Sequence, residues 1–125
     1  MRLAVIITAA LLPTLAVAQP ARVAAPSTQV AVSVSIPTPP GAPRAVVEAG
    51  MAKAAPTYAK VPGLIRKYFT IGQTDFGGMY LFRDRSSAQA WFSDAWRAKA
   101  ATTYGAQPTV TYFDVPLIVD NVSTK

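Results

Sequence analysis

The segment that most constrains the fold is residues 62–92, in which two strand-like runs, a turn and the start of a helix follow one another. Bulky apolar residues dominate residues 64–71 and 76–82, and the glycine-containing turn at residues 72–75 separates the two runs. After Ser86 the apolar residues recur at the spacing of an amphipathic helix. The segment therefore predicts a β-hairpin that leads directly into a helix.

Three further elements flank this segment. Residues 29–36 alternate between β-branched and smaller side chains, which predicts a strand with one strongly apolar face. Residues 44–55 have helical spacing, and Pro56 predicts that this helix ends there and that residues 57–61 are irregular. Residues 109–115 predict the last strand. The element order is therefore βαββαβ.

The second helix is predicted as one continuous element. Ser86 and Gln89 match the S-x-x-Q capping box, and Gly105 supplies a C-terminal stop. Its apolar stripe consists of Ala88, Trp91, Phe92, Ala95 and Trp96.

A βαββαβ order predicts an α+β, ferredoxin-like fold, in which a four-stranded antiparallel sheet carries two helices on one face. The strands over residues 64–71 and 109–115 have bulky apolar side chains on both faces, so the face without helices would leave apolar surface exposed. Exposed apolar patches usually mark interfaces, and one two-fold contact would cover both copies of this patch. We therefore expect a homodimer whose sheets face each other, which leaves the helical side free to enclose a small hydrophobic molecule.

The N-terminus has the pattern of a cleaved export signal. Arg2 precedes an uncharged apolar run over residues 3–12, and Ala16 and Ala18 form a small-x-small cleavage pattern. That run is too short for a membrane anchor, which needs about 20 residues. We expect a signal peptide over residues 1–18, a flexible leader over residues 19–28 and one domain over residues 29–121 of a periplasmic or secreted protein.

Composition excludes several classes of site. The chain has no Cys and no His, which excludes a Cys or His nucleophile, a zinc site of the usual ligands and a His-ligated haem. The net charge is +6, but the basic residues are scattered. An RNA-recognition domain has the same element order, but its signature strand begins with a basic residue, whereas this one begins at Asp75. We expect no nucleic-acid partner.

Four stretches, at residues 62–70, 77–82, 87–91 and 112–115, resemble the YdhR-like monooxygenases of the dimeric α+β barrel superfamily. The most specific part is the P-G-hydrophobic pattern joined to G-G-x-Y-L-F, and the resemblance covers residues 29–121. It implies a ferredoxin-like fold, a homodimer with facing sheets, and kinship to the cofactor-free oxygenases related to antibiotic biosynthesis monooxygenases.

Oxygenation without a cofactor requires a dry pocket, a base, and a hydrogen-bond donor for the developing oxyanion. We expect Asp114, or a water that it holds, as the base, and Lys67 or Tyr80 as the stabiliser of the anion. The expected pocket walls are Trp91, Trp96, Tyr80 and Phe82. Each has a structural alternative, since tryptophans at helical spacing usually fill a core and Asp114 would be satisfied by an ion pair with Lys67 or Arg66.

The resulting prediction is an exported, cofactor-independent monooxygenase that acts on a small hydrophobic or aromatic substrate. The alternative is a module of the same fold that binds a small ligand or a partner without catalysis.

Overall fold

The computed structural model describes residues 22–23 and 27–121. The predicted signal peptide over residues 1–18 lies outside the described residues. In chain order the elements are β1 (Arg22–Val23), β2 (Val30–Pro37), α1 (Arg44–Tyr58), β3 (Leu64–Ile71), β4 (Asp75–Phe82), α2 (Arg85–Trp91), α3 (Asp94–Tyr104), β5 (Thr109–Asp114) and β6 (Val119–Asp120).

Four of the strands form an antiparallel sheet in the order β3-β4-β2-β5. Strand β2 lies in the centre, where Val32 pairs with Tyr80 of β4 on one side and with Tyr112 of β5 on the other. This is the ferredoxin-like arrangement predicted from the element order, and the predicted fold class is confirmed.

The core is built on the apolar face of β2. Its four β-branched side chains are at most 4% exposed, and Tyr80, Phe82, Ala88 and Phe92 are buried against them. The small side chains between them point to the opposite face because successive residues of a strand alternate. The strict alternation seen in the sequence therefore determines which face of the sheet becomes the core.

A β-bulge between Leu64 and Arg66 shifts the first residues of β3. Simple alternation places Ile65 on the same face as Phe69 and Leu64 on the opposite face. In the structure Leu64 packs against the core and Ile65 is 50% exposed, so that part of the prediction is wrong. The extra residue of a bulge reverses the alternation on one side of it.

Helix α1 is longer than predicted. It passes through Pro56 and ends at Tyr58. A proline in the last turn removes only one helical N–H donor, and the last carbonyls of any helix have no intrahelical partner. The extension matters for the site, since it carries Tyr58 onto the side of the helix that faces the sheet, where it packs against the core.

The predicted second helix is in fact two helices, α2 and α3. The Asp84 side chain, rather than Ser86, caps α2 by accepting a hydrogen bond from the Ser87 N–H at 2.8 Å. Ser93 then caps α3 by accepting from the Trp96 N–H at 3.2 Å. Gly105 ends α3 in the left-handed conformation, as predicted.

Outside the main sheet, Arg22–Val23 pairs antiparallel with Val119–Asp120. This places a two-residue strand within the segment expected to be a flexible leader. Among the described residues, no helix is both long and apolar enough to cross a membrane.

Candidate functional site

A cavity of about 470 Å³ lies between the sheet and helices α1 and α3. The sheet contributes its floor, where Val34, Ile36, Phe69 and Phe76 are apolar lining residues. Its volume is within the range of cavities that hold small molecules, about 300–1,000 Å³.

Helix α1 covers the cavity without burying any of its own residues. Its partly buried positions are Val47, Met51, Ala54 and Tyr58, which follow helical spacing and therefore share one side, and all four line the cavity. The apolar side of α1 is thus separated from the sheet by empty space rather than packed on it. A hydrophobic molecule in the cavity would complete the burial of this side.

Lys67 is the charged group that projects from the sheet into the cavity. Its Nζ lies 3.1 Å from the centre of the Tyr58 ring, 3.8 Å from that of Phe69 and 4.7 Å from that of Tyr80. We call these three rings the aromatic cage. Ring faces attract a cation, whereas burial among them removes it from water.

Burial is the stronger influence on protonation, and it lowers the pKa of Lys67 from 10.5 to about 7. The amine is therefore divided between its charged and neutral forms near neutral pH. Gly78 makes room for this side chain, since a Cβ there would lie 3.1 Å from Lys67 Cε and 2.8 Å from the Tyr68 carbonyl oxygen.

The two tyrosines of the cage remain protonated at neutral pH. Burial raises the pKa of Tyr80 far above its ordinary value, and Tyr58 adds to this effect. Burial also raises the pKa of Tyr58, more than its hydrogen bond with Tyr80 lowers it. The cavity therefore combines an amine that loses its proton readily with phenol groups that keep theirs.

Asp114 lies outside the cavity. Its carboxylate is 85% exposed and accepts a hydrogen bond from Arg85 Nη2 at 2.7 Å, so it forms a surface ion pair. The partner is Arg85 rather than the Lys67 or Arg66 that sequence analysis considered. No carboxylate is among the described residues that line the cavity, so Asp114 is not positioned to remove a proton from a molecule bound there.

The other predicted site residues are divided between the cavity and the core. Tyr80, Trp91 and Trp96 line the cavity together with Lys67, and both tryptophans also pack against the core. Phe82 is completely buried in the core and does not line the cavity. The Trp91 Nε1 atom is buried without a hydrogen-bond partner.

Sequence analysis missed two cage residues, Tyr58 and Phe69. Phe69 follows Lys67 by two residues in β3 and therefore lies on the same face, a signal that was available. Tyr58 continues the spacing of Met51 and Ala54 along α1, but the expected end of the helix at Pro56 concealed it.

Among the described residues, no group of three or more His, Cys, Asp or Glu side chains is placed to hold a metal ion.

Comparison with protein families identifies a match over most of the chain. The family model described as "Putative mono-oxygenase ydhR" matches residues 34–119, a range that includes all three residues of the cage and both tryptophans. Among curated proteins, no sequence is similar enough to match.

Several solved structures share the fold. A protein of unknown function from Nitrosomonas europaea is 22% identical, with a TM-score of 0.53 over 78% of this chain and 94% of its own. A protein from Shewanella oneidensis is 15% identical, with a TM-score of 0.56 over 78% and 98%. A putative antibiotic biosynthesis monooxygenase from Caulobacter crescentus is 17% identical, with a TM-score of 0.52 over 71% and 91%. At these identities the structures establish the fold, and the match of the family model over most of the chain shows that it belongs to the ydhR mono-oxygenase family.

Proposed function

We propose that the protein is a cofactor-independent monooxygenase that oxidises a small, weakly acidic aromatic compound in the cavity above the sheet. The observation that carries this proposal is Lys67, an amine with a pKa of about 7 in a cavity with aromatic walls. A base is most effective when its pKa is near the working pH. Lys67 takes the role of base that sequence analysis gave to Asp114.

The reaction requires no external reductant. The Lys67 amine removes a proton from an activated CH₂ group of the substrate, and the resulting carbanion reduces O₂ and forms a carbon–oxygen bond. The peroxide regains the proton from Lys67, and loss of water across the C–H and O–O bonds leaves a carbonyl group. The balance is CH₂ + O₂ → C=O + H₂O. Lys67 in its charged form and the Tyr80 hydroxyl stabilise the anion.

Anthrone provides a direct test, with oxygen uptake and anthraquinone formation measured against a protein-free blank. We expect Lys67→Met to lower kcat/KM by about 10²- to 10⁴-fold, as loss of a general base does. Tyr80→Phe, which removes one anion-stabilising donor, should lower it by about 10²-fold. Lys53→Met removes an exposed amine of α1 and should have no effect, and Asp114→Asn should have none either.

The rate should also depend on pH. Because only the neutral amine acts as a base, kcat/KM should rise as the pH passes through about 7 and then level off. Anthrone that binds without turnover would favour the alternative function, a ligand-binding module. Turnover that is unchanged in Lys67→Met would contradict the assignment of the base.

We also propose that the protein works as a homodimer. The sheet face opposite the helices exposes Tyr68, Met79 and Phe113, each more than half accessible. These residues lie on β3, β4 and β5, so they form an apolar surface that spans the sheet. A second copy of the same surface is the occupant that would cover it with one symmetric contact.

Finally, we propose that the protein is exported and that the signal peptide is removed after Ala18. The pattern of Arg2, the apolar run and the small residues before the cleavage point supports this proposal. Cell fractionation followed by mass measurement of the mature chain tests it. A mature chain that begins at Gln19 outside the cytoplasm is the expected result, and an intact N-terminus in the cytoplasm would contradict it.

A further inference from the structure

The Lys67 amine lies beside the cavity, and its environment there is unusual for a lysine. Within the described residues it forms no ion pair and no hydrogen bond, and its Nζ lies 3.1–4.7 Å from the ring centres of the aromatic cage. Its Nζ is held by ring faces on one side, and the residue lines the cavity on the other. Nothing in this arrangement competes for the nitrogen lone pair when the amine is neutral.

Amines in this situation have a second reactivity besides proton abstraction. A lysine desolvated in a hydrophobic pocket is a nucleophile toward carbonyl carbons, whereas an exposed lysine is almost fully protonated and unreactive near neutral pH. The cavity offers aromatic side chains to a flat ring, including Phe69, Trp91 and Trp96. An aromatic aldehyde meets both requirements, since it brings a ring for the walls and a carbonyl carbon for the amine.

We propose that the cavity is also a covalent binding site for aromatic aldehydes, in which Lys67 Nζ forms a Schiff base with the aldehyde carbon. This activity uses neither O₂ nor the carbanion chemistry of the proposed monooxygenase, and it therefore goes beyond that function.

The step is balanced without any added reactant. The lone pair of the neutral amine attacks the carbonyl carbon, and one N–H proton moves to the oxygen to give a carbinolamine. The remaining N–H proton and the hydroxyl group leave as water, and the C=N bond forms. The Tyr80 hydroxyl, which stays protonated, is a suitable donor for the departing oxygen because it belongs to the same cage as the amine.

Selectivity follows from the difference between Lys67 and an ordinary lysine. At pH 6.5 about a quarter of an amine with a pKa near 7 is neutral, against about one in 10⁴ for an exposed lysine. A less basic amine is intrinsically a weaker nucleophile, and a Brønsted slope like that of thiols removes a factor of about 30 from this advantage. Labelling of Lys67 about 10²-fold faster than labelling of Lys53 is therefore expected.

The experiment traps the Schiff base by reduction. The full chain is incubated without oxygen at pH 6.5 with benzaldehyde and cyanoborohydride, and the benzylated peptides are identified and timed by mass spectrometry. The expected result is rapid addition of one benzyl group at Lys67 and slow addition at Lys53. The mapping also separates these sites from the α-amino group, which is neutral enough to react in part.

Matched variants complete the test. Lys67→Met should lose the fast labelling while keeping its circular dichroism spectrum, and Lys53→Met should label at Lys67 as the unchanged protein does. Labelling of Lys67 no faster than that of Lys53 would overturn the proposal. Labelling needs neither O₂ nor anthrone, and anthrone oxidation needs no aldehyde, so the two proposals are tested by separate measurements.

Discussion

At the scale of single residues, Lys67 differs from an ordinary lysine because its amine is enclosed rather than exposed to solvent. It is a basic side chain in an aromatic cage, and burial lowers its pKa to about 7. Groups with such altered pKa values cluster at functional sites because catalysis needs a pKa near the working pH. Burying such a group lowers the stability of the folded state. Its contribution to folding should therefore be unfavourable and should depend on pH.

We expect the free energy of unfolding to rise with pH between about 7 and 10.5. In this range the unfolded chain binds a proton at Lys67 that the folded chain does not, so raising the pH favours the folded state. Below pH 7 both states carry the proton and the folded state bears the full cost of burying it.

Lys67→Met should accordingly stabilise the protein by about 2 kcal/mol at pH 6, after allowance for the solvent that reaches the side chain, and by much less at pH 10. Urea denaturation at the two pH values measures this difference. Lys53→Met is the control and should show no comparable dependence. Equal stabilisation at both pH values would show that the Lys67 amine is not desolvated.

Gly77 is a second residue at which a specific requirement operates. A Cβ at this position would overlap the carbonyl oxygen of Val34 across the β2–β4 pair, so only glycine allows the strands to approach. In the sequence, the Gly77-Gly78 pair near the start of β4 predicts a bulge or a close backbone approach, and the close approach is confirmed.

Gly77→Ala should destabilise the protein by about 1–3 kcal/mol because the strand pair must shift. Gly50→Ala is the matched control. Gly50 lies inside α1 with open space around its Cβ position, and alanine there should stabilise by about 0.5–1 kcal/mol. Thermal unfolding of both variants measures the contrast, and similar effects from both would be inconsistent with the close approach.

Among the elements, α2 and α3 show how capping decides where a helix begins. The apolar stripe of this region fits one long helix. In the structure the helix is interrupted at Phe92, and Ser93 caps a new helix. The break lets α3 turn its own side, with Trp96 and Ala100, toward the cavity.

Ser93→Ala should therefore lower the free energy of unfolding by about 1 kcal/mol, which is the usual cost of losing an N-cap.

At the first cap, Asp84→Ala should lower the melting temperature more than Ser86→Ala, because Asp84 accepts the capping hydrogen bond. That bond lowers the pKa of Asp84 below its ordinary value of 3.8. The stability that the cap contributes should therefore be present at neutral pH and be lost as the carboxylate becomes protonated in strong acid. A larger effect from Ser86→Ala would restore the capping box predicted from the sequence.

At the level of the whole molecule, the sheet has two different apolar faces. One carries the core and the cavity, and the other exposes Tyr68, Met79 and Phe113. A single copy has no helix to cover the second face, because both crossover connections of this topology lie on the same side.

We expect the mature protein to sediment as a dimer at micromolar concentration. Phe113→Glu and Met79→Glu should convert it to a monomer, because a symmetric contact places each new charge in the interface of both copies. Val46→Glu, at an equally exposed apolar position on α1, is the control and should remain dimeric. A chain that sediments as a folded monomer without any substitution would contradict the proposed assembly.

The sequence by itself determined the βαββαβ order of the main elements and the apolar face of β2 that carries the core. These follow from local periodicity, since strand alternation and helical spacing are properties of neighbouring residues. The P-G and G-G-x-Y-L-F stretches carried the family resemblance for the same reason. Lys67 and Phe69 could be placed on one face by counting residues along β3.

Only the tertiary structure decided which of the predicted site residues come together. Asp114 and Lys67 are equally plausible bases in a list of residues, but pairing to Arg85 holds the first at the surface and the aromatic cage surrounds the second. Tyr58 lies nine positions before Lys67 and comes from a different element, α1. The spacing of residues within one helix or strand does not predict a contact between two elements. The pKa of a side chain depends on what surrounds it in space, and that environment exists only after distant segments have packed.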